Sequence, residues 1–293
     1  MSSFNPPSTK NLAGSNGKTV IVTGGAGGIG AATAKVFNLH GANVVIADIS
    51  SSNEAAQKLI ASLPYPEKAL FYPTERRFGS IDTVVANAGI MEKTDTLDIE
   101  STDENGNLFE STGAFNVIDV NIKGTLNTLR LAIHYMKRSP DRPAGRKSIV
   151  LVASTSGYFG GTGVSAYVSS KHAIIGLLRS SHITASKNGV TVTAVAPFFT
   201  YTNITAKAGA RWQADGLKPN PTEDVGIAIA LSSVEGESGS CTLVAGPHRR
   251  EMEASRSAVM PQWLGNEIHL FFQNAFRIIS SSGGYNLPKA SKI

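Results

Sequence analysis

Tyr167 and Lys171, in the pentapeptide YVSSK, pair a phenol with an ammonium four residues away. On a helix, positions i and i+4 share a face, so the two groups would stand side by side. A neighbouring ammonium favours phenolate and brings a tyrosine toward the range of a useful general base. YxxxK arises often by chance. Its weight here comes from Ser154, thirteen residues upstream at the end of an apolar run, whose hydroxyl could hold a substrate oxygen.

A second constellation is the glycine cluster TGGAGGIG at 23–30. Its spacing reads as GxGxxG from Gly25, as TGxxxGxG from Thr23, and as TGxxGxxG, so spacing alone does not choose among them. The physics is common to all three. Glycines let the backbone turn tightly and approach a pyrophosphate, and a helix opening near Gly28 aims its N–H groups at the anion. An apolar strand (19–23) precedes the cluster, a helical pattern (31–39) closed by Gly41 follows it, and a second strand (43–47) ends at Asp48. An acid 18 residues after Gly30, in this strand–turn–helix–strand setting, points to a dinucleotide. The Asp48 carboxylate can accept from both hydroxyls of the adenosine ribose. A 2′-phosphate there would meet a like charge at ~4 Å, costing up to ~4 kcal/mol at an effective dielectric of ~20. No Arg or Lys in 24–30 or 49–51 offsets it, so NAD is favoured over NADP. The plain alternative is an ordinary strand-end acid.

The elements that must position these residues alternate along the chain. Further strands are expected at 69–72, 83–86, 148–152, 190–195 and 242–245, and helices at 115–136, 165–187 and 222–233. That alternation predicts an α/β fold, a single Rossmann-type doubly wound parallel sheet with helices on both faces. Residues 1–17, polar and with Pro6 and Pro7, read as a flexible lead-in. Residues 18–246 read as the dinucleotide-binding domain, and 247–293 as a helical extension and tail. The acidic segment 92–110 reads as a solvated surface loop, as does the basic stretch 137–147.

Together these features resemble the short-chain dehydrogenase/reductase family. TGGAGGIG, Asp48, Asn87-Ala88-Gly89, Asn121 in DVNIKG, Ser154 in VASTSG, YVSSK and Pro197 occur in the family's order, over roughly residues 18–246. The resemblance resolves the glycine spacing toward the compact members rather than the longer sugar-nucleotide epimerases. DVNIKG with STSGYFG and SSKH looks most like fungal-type relatives of 15-hydroxyprostaglandin dehydrogenase.

The resemblance implies roles residue by residue. Tyr167 is the base in oxidation and the acid in reduction, and Lys171 lowers its pKa and binds the nicotinamide ribose. Ser154 orients the alcohol or carbonyl oxygen, and Asn121 anchors a water in the proton relay. Gly24, Ala26, Gly28, Ile29 and Gly30 line the pyrophosphate, while Asn87 and Gly89 line the adenosine side. Pro197 and Thr202 lie near the nicotinamide. The cofactor carries the hydride and the protein orients it. Helices at 115–136 and 165–187 are those that relatives use between subunits, so a homo-oligomer is implied.

Three departures from the family stand out. Ala86 precedes Asn87 where a second Asn is usual, and Phe198 follows Pro197 where Gly is usual. The largest lies between the third and fourth strands, about a dozen residues shorter than in relatives. In the family's strand order the chain must cover a diagonal of ~22 Å there, and the peptide steps from Pro73 to Ile81 span at most ~26–29 Å. The crossing is therefore expected to run nearly straight, with one covering helix missing, which would leave apolar sheet exposed or displace the third strand, and weaken NAD binding.

Substrate clues come from aromatic residues. Phe198, Phe199, Tyr201 and Trp212 fall where the family keeps its substrate loop, and Tyr158 and Phe159 follow Ser154. If they face the pocket, the substrate is bulky and apolar: a terpenoid, steroid-like, fatty or polyketide alcohol of the kind made in secondary metabolism.

Composition excludes several other classes. The chain has 293 residues, 41% hydrophobic and 17% charged, enough for a sizeable core. No apolar run of ~18 residues is present, so no membrane span is expected. The N-terminus lacks the apolar centre of a secretion signal, which points to the cytoplasm. One cysteine, Cys241, rules out an internal disulfide framework, and His134, His172 and His182 show no metal-ligand spacing. The net charge of +5 comes without a basic helix or an RNA-binding signature, so no nucleic-acid partner is expected. The leading reading is thus an NAD-dependent alcohol dehydrogenase. Against it stands a dinucleotide-fold protein with impaired catalysis, acting through binding or association.

Overall fold

A computed structural model describes residues 9–71, 78–139, 145–161, 163–205, 212, 214 and 216–281. Its strands are β1 (Thr19–Thr23), β2 (Asn43–Ala47), β3 (Ala69–Phe71), β4 (Thr83–Ala86), β5 (Lys147–Val152), β6 (Val190–Pro197), β7 (Cys241–Ala245) and β8 (His248–Glu251). They form one sheet in the order β3-β2-β1-β4-β5-β6-β7-β8. Every pairing is parallel except β7 with β8. β4 and β5 are buried at every position, as central parallel strands must be, and apart from Lys147 read as unbroken apolar or small-polar runs.

The helices are α1 (Gly28–Leu39), α2 (Asn53–Ala61), α3 (Thr112–Ile118), a π-helical turn (Asp119–Gly124), α4 (Thr125–Arg138), α5 (Ser156–Phe159), α6 (Ser165–Ser186) and α7 (Thr222–Glu235). A core cluster joins β1, β2, β4, β5 and β6 to α1 and α7, around Val20, Phe37, Ile46, Val150 and Ile229. α1 and α7 approach closely at Gly226, where a Cβ would come within 3.1 Å of the Ala32 and Thr33 backbone. The doubly wound α/β sheet expected from sequence is present.

Several boundaries differ from expectation. Residues 9–15 do not trail free: Thr9–Ser15 is a 3₁₀-helix, and Leu12, 1% exposed, belongs to the core. A lone leucine in a polar stretch gave no periodic signal. The sheet runs past 246, because β8 adds an antiparallel edge strand. The compact unit therefore ends at Glu251. Residues 252–293 form a second unit, whose described part is two helices, α8 (Met252–Leu264) and α9 (Asn266–Ser281), joined at Gly265 with φ +77°. The helix expected over 115–136 begins at Thr112 and is interrupted by the π-helical turn. The basic stretch is not wholly solvated either. Lys147 is buried in β5, its Nζ donating to the Ser139 carbonyl, and Arg146 donates to the Val234 and Gly236 carbonyls.

β3 is not displaced: it pairs in parallel with β2 over three residues. The chain must therefore cross from the sheet edge past β2 and β1 to β4. Of the shortened crossover, residues 72–77, Pro73 and Glu75 among them, lie outside the described residues, while Ser80 and Ile81, at its end, are buried.

Candidate active site

The glycine cluster forms the turn between β1 and α1. Gly24 and Gly28 have φ of +62° and +51°, a left-handed backbone that disfavours any side chain. Gly30 is required for another reason: a Cβ there would run into the Gly24 carbonyl and come within 2.7 Å of Asn87 Nδ2. Asn87 stitches β4 to this turn. Its Nδ2 donates to the Thr23 and Gly24 carbonyls at 2.9 and 3.2 Å, and the N–H groups of Asn87 and Ala88 donate to Thr23 Oγ1.

This turn fits a pyrophosphate. The N-cap of α1 is Gly27, with no side chain to satisfy the first N–H groups and no acid in the first turn. A Cβ added at Gly27 would meet nothing within 4 Å. Gly28, Ile29 and Gly30 are the residues whose N–H groups open this helix. Ala26 is committed elsewhere, since its N–H donates to Asp48 Oδ2 at 3.0 Å. Asp48 Oδ1 accepts the Ile49 N–H at 2.8 Å. Each oxygen keeps a further lone pair, so the carboxylate is tied to the glycine turn yet able to accept from ribose hydroxyls. Thr202 Cγ2 would lie 3.4 Å from a Cβ at Gly28, which brings the loop after β6 over the turn.

The proton-transfer candidates come from the carboxyl ends of β5 and β6 and from α6. Ser154 follows β5, with its hydroxyl near enough to the Tyr167 phenol to favour its ionised form. Ser154 Oγ also accepts the Ser156 N–H at 3.1 Å and reaches the Pro197 carbonyl at 3.4 Å. Lys171 Nζ lies 5.5 Å from the centre of the Tyr167 ring and donates to the Val152 carbonyl at 3.0 Å. Burial brings the Lys171 ammonium down to about 8. Burial pushes the Tyr167 phenol above its ordinary range, the Ser154 hydroxyl pulls it down, and the Glu92 charge pushes it up again. The sequence expectation was a lowered phenol. In the protein alone, desolvation outweighs the partners that favour phenolate.

Asn121 sits in the π-helical turn, buried, with Oδ1 accepting the Ile90 N–H and Nδ2 donating to the Ile90 carbonyl and to Ser170 Oγ. Gly89 is not remote from this group. A Cβ there would lie 3.3 Å from Asn121 Oδ1 and 3.7 Å from Lys171 Nζ, so Gly89 stands beside Asn121 and Lys171.

Sequence reasoning missed one member. The acidic run 92–110 reads as solvated, yet Glu92 is buried and accepts the Ala166 and Tyr167 N–H groups. Its one visible clue was its place, five residues after Asn87 on the same loop. Of the six aromatic residues, Phe198, Phe199 and Trp212 come together. Trp212 stacks on Phe199 at 4.6 Å and meets the edge of Phe198 at 5.2 Å. Tyr158 lies under the Arg179 guanidinium at 5.9 Å. Among the described residues, no group of His, Cys, Asp and Glu is placed to hold a metal, and no helix is long and apolar enough to cross a membrane.

Comparison with known proteins agrees with this arrangement. The family model for short chain dehydrogenase matches residues 18–212. Among curated proteins, a short-chain dehydrogenase/reductase of Acremonium egyptiacum, ascJ, is 34% identical over 248 residues, covering 81% of each chain. One from Stachybotrys chlorohalonatus, ATR7, is 31% identical over 283 residues, covering 86% of each. The Penicillium roqueforti protein prx4, of the same description, is 29% identical over 283 residues, covering 85% of this chain and 81% of its own. The matched span holds the glycine turn, Asp48, Asn121, Ser154, Tyr167 and Lys171 together, on the sheet order that brings them to one edge. The chain belongs to the short-chain dehydrogenase/reductase family and is an oxidoreductase.

Proposed function

We propose that the protein interconverts a secondary alcohol and its ketone with NAD as the redox partner, on a bulky apolar substrate such as a terpenoid, steroid-like, fatty or polyketide alcohol of secondary metabolism. The observation that carries this reading is the Ser154–Tyr167–Lys171 group, assembled beside a glycine turn that Asp48 touches. The N–H groups of Gly28, Ile29 and Gly30 would hold the pyrophosphate, Asp48 the adenosine ribose, and Lys171 the nicotinamide ribose. When bound there, the dinucleotide supplies the hydride acceptor for oxidation and the hydride donor for reduction.

The chain's own residues do the rest. Ser154 donates a hydrogen bond to the substrate oxygen and fixes it beside the Tyr167 hydroxyl. Tyr167 takes the hydroxyl proton in oxidation and returns it to the carbonyl oxygen in reduction. Lys171, still largely protonated at neutral pH with a pKa of about 8, favours the phenolate form of Tyr167. Asn121 holds the loop and helix that frame the site and anchors the water through which the proton leaves. The Phe198–Phe199–Trp212 cluster begins one residue after Pro197, whose carbonyl Ser154 touches, and supports an apolar substrate wall. The active protein is a homo-oligomer, built through α3, α4 and α6.

The test is a thermal-shift titration with NAD and with NADP, followed by an alcohol panel. Free ligand at ~100 times its dissociation constant adds ~2.7 kcal/mol, a rise of several degrees for a domain of this size. The expected result is a rise with NAD, little with NADP, and turnover of an apolar secondary alcohol that Tyr167→Phe abolishes. No shift with either nucleotide, on a protein that melts cooperatively, would overturn the enzyme reading and leave binding or association.

A further inference from the structure

The loop that leaves β4 carries Asn87 and Gly89 and then turns inward at Glu92, which is 7% exposed. One carboxylate oxygen accepts the Ala166 N–H at 2.9 Å and the Tyr167 N–H at 3.3 Å, and the other accepts the Tyr167 N–H at 3.0 Å. Ala166 and Tyr167 are the second and third residues of α6. Their N–H groups are the donors that a helix's own N-cap side chain would satisfy. The N-cap of α6 is Val164, which offers no acceptor, and the first turn of α6 contains no acid. Glu92 therefore caps α6 from a different segment and sets a negative charge at the positive end of the helix.

The same loop holds the other side of the Tyr167 peptide. Ile90, two residues before Glu92, exchanges two hydrogen bonds with Asn121 at 2.8 and 2.9 Å. Asn121 Nδ2 also donates to Ser170 Oγ at 2.9 Å, and Ser170 Oγ donates to the Tyr167 carbonyl at 2.7 Å. Tyr167 is thus held at its N–H by Glu92 and at its carbonyl, through Ser170, by Asn121. The hydrogen bonds close a ring around the first turn of α6.

We propose that Glu92 is a positioning residue of this site, seating the first turn of α6 on the loop after β4 and so fixing the Tyr167 hydroxyl against Ser154. The inference rests on the reading of Tyr167 as the proton-transfer group. A bland structural cap would not touch the tyrosine's chemistry, but this one does, because the Glu92 charge opposes ionisation of the phenol. The charged groups facing Tyr167 are Glu92, from the loop after β4, and Lys171, from α6 itself. The strand end contributes the uncharged Ser154, and α3 contributes Ala114 and Val117.

Two variants separate charge from geometry. Glu92→Gln keeps the length and one acceptor and removes the charge. Glu92→Asp keeps the charge and withdraws it by one methylene. Phenolate absorbance is titrated for each, subtracting the same protein carrying Tyr167→Phe, so that Tyr167 alone is read. Amide hydrogen exchange is followed at Ala166 and Tyr167, with Val85 and Val150 as core references. The Tyr167 titration is expected to move to lower pH in Glu92→Gln and to stay in Glu92→Asp. Exchange at Ala166 and Tyr167 is expected to quicken about tenfold in both, the scale of a lost helix cap, with the core amides unchanged. A phenol titration unmoved in Glu92→Gln overturns the proposal. So does exchange that is unmoved in both variants, or that quickens equally at Val85 and Val150. Neither readout needs turnover. A protein that behaves as expected here, yet oxidises no alcohol, keeps this inference and loses the proposed function.

Discussion

Lys171 carries a cost that its surroundings do not remove. Burial lowers its ammonium from 10.5 to about 8, and its Nζ donates to a carbonyl, that of Val152. Below about pH 8 both the folded and the unfolded chain hold this proton, and the penalty for burying the charge is present in full. Between pH 8 and 10.5 the unfolded chain still holds a proton that the folded chain has released. Stability on this residue's account therefore rises with pH across that window. Chemical denaturation without added nucleotide checks it. Between pH 7.5 and 9.5 the wild type is expected to gain about 2 kcal/mol relative to Lys171→Met. Parallel curves for the two proteins would show that the ammonium is not desolvated. The Tyr167–Lys171 spacing was legible in the sequence, because a helix repeat fixes which side chains are neighbours. The raised phenol was not, because desolvation depends on what packs around the ring, and no spacing encodes that.

At the scale of elements, the β1–α1 turn shows why glycines that look alike in sequence do different work. Gly27 is the N-cap of α1 with an extended backbone, and a Cβ there would enter open space. Gly30 faces the Gly24 carbonyl and the Asn87 amide, where a Cβ has no room. Gly27→Ala is expected to cost under about 1 kcal/mol, the loss of a mildly favoured cap. Gly30→Ala is expected to cost about 3 kcal/mol, at the upper end for overpacking, because the obstruction is backbone that cannot rotate away. Urea unfolding of the two variants measures the contrast, and equal losses would mean that the turn yields as a whole. The strand–turn–helix unit itself was readable from the apolar runs at 19–23 and 43–47. The π-helical turn at Asp119–Gly124 was not, since DVNIKG continues the helical pattern of its neighbours and its glycine, Gly124, comes only at the end. Nor was the cap on α6, because its acceptor, Glu92, lies more than 70 residues away from Ala166 and Tyr167. Local sequence reports the donors that need a partner, not the distant side chain that meets them.

Across the whole molecule, a parallel sheet sends the carboxyl ends of its strands to one edge, so residues scattered from Gly24 to Pro197 converge. The sheet's termini are handled differently. β8 pairs antiparallel along β7 with the charged run His248-Arg249-Arg250-Glu251, which blunts that edge against further pairing. The apolar residues left outside are of another kind. Phe115 on α3 and Leu126, Leu131 and Tyr135 on α4 are 53%, 47%, 53% and 42% exposed. Leu131 and Tyr135, four apart, share one flank of α4. Single exposed apolar residues are ordinary, but several large ones on consecutive helical segments are what the proposed subunit contact would cover. A two-fold axis would bring this surface against its own copy, as closed symmetry requires. Light scattering behind size exclusion is expected to give at least twice the mass of one chain. Replacing Leu131 and Tyr135 together by glutamate is expected to bring the mass to that of a single chain. Association stabilises the folded state by mass action, so the wild-type melting temperature should rise with protein concentration while that of the double variant stays level. A wild-type protein that elutes as one chain at every concentration would mean that these helices meet solvent. The reading of α3 and α4 as subunit contacts would then fall, with the site inside each chain unaffected.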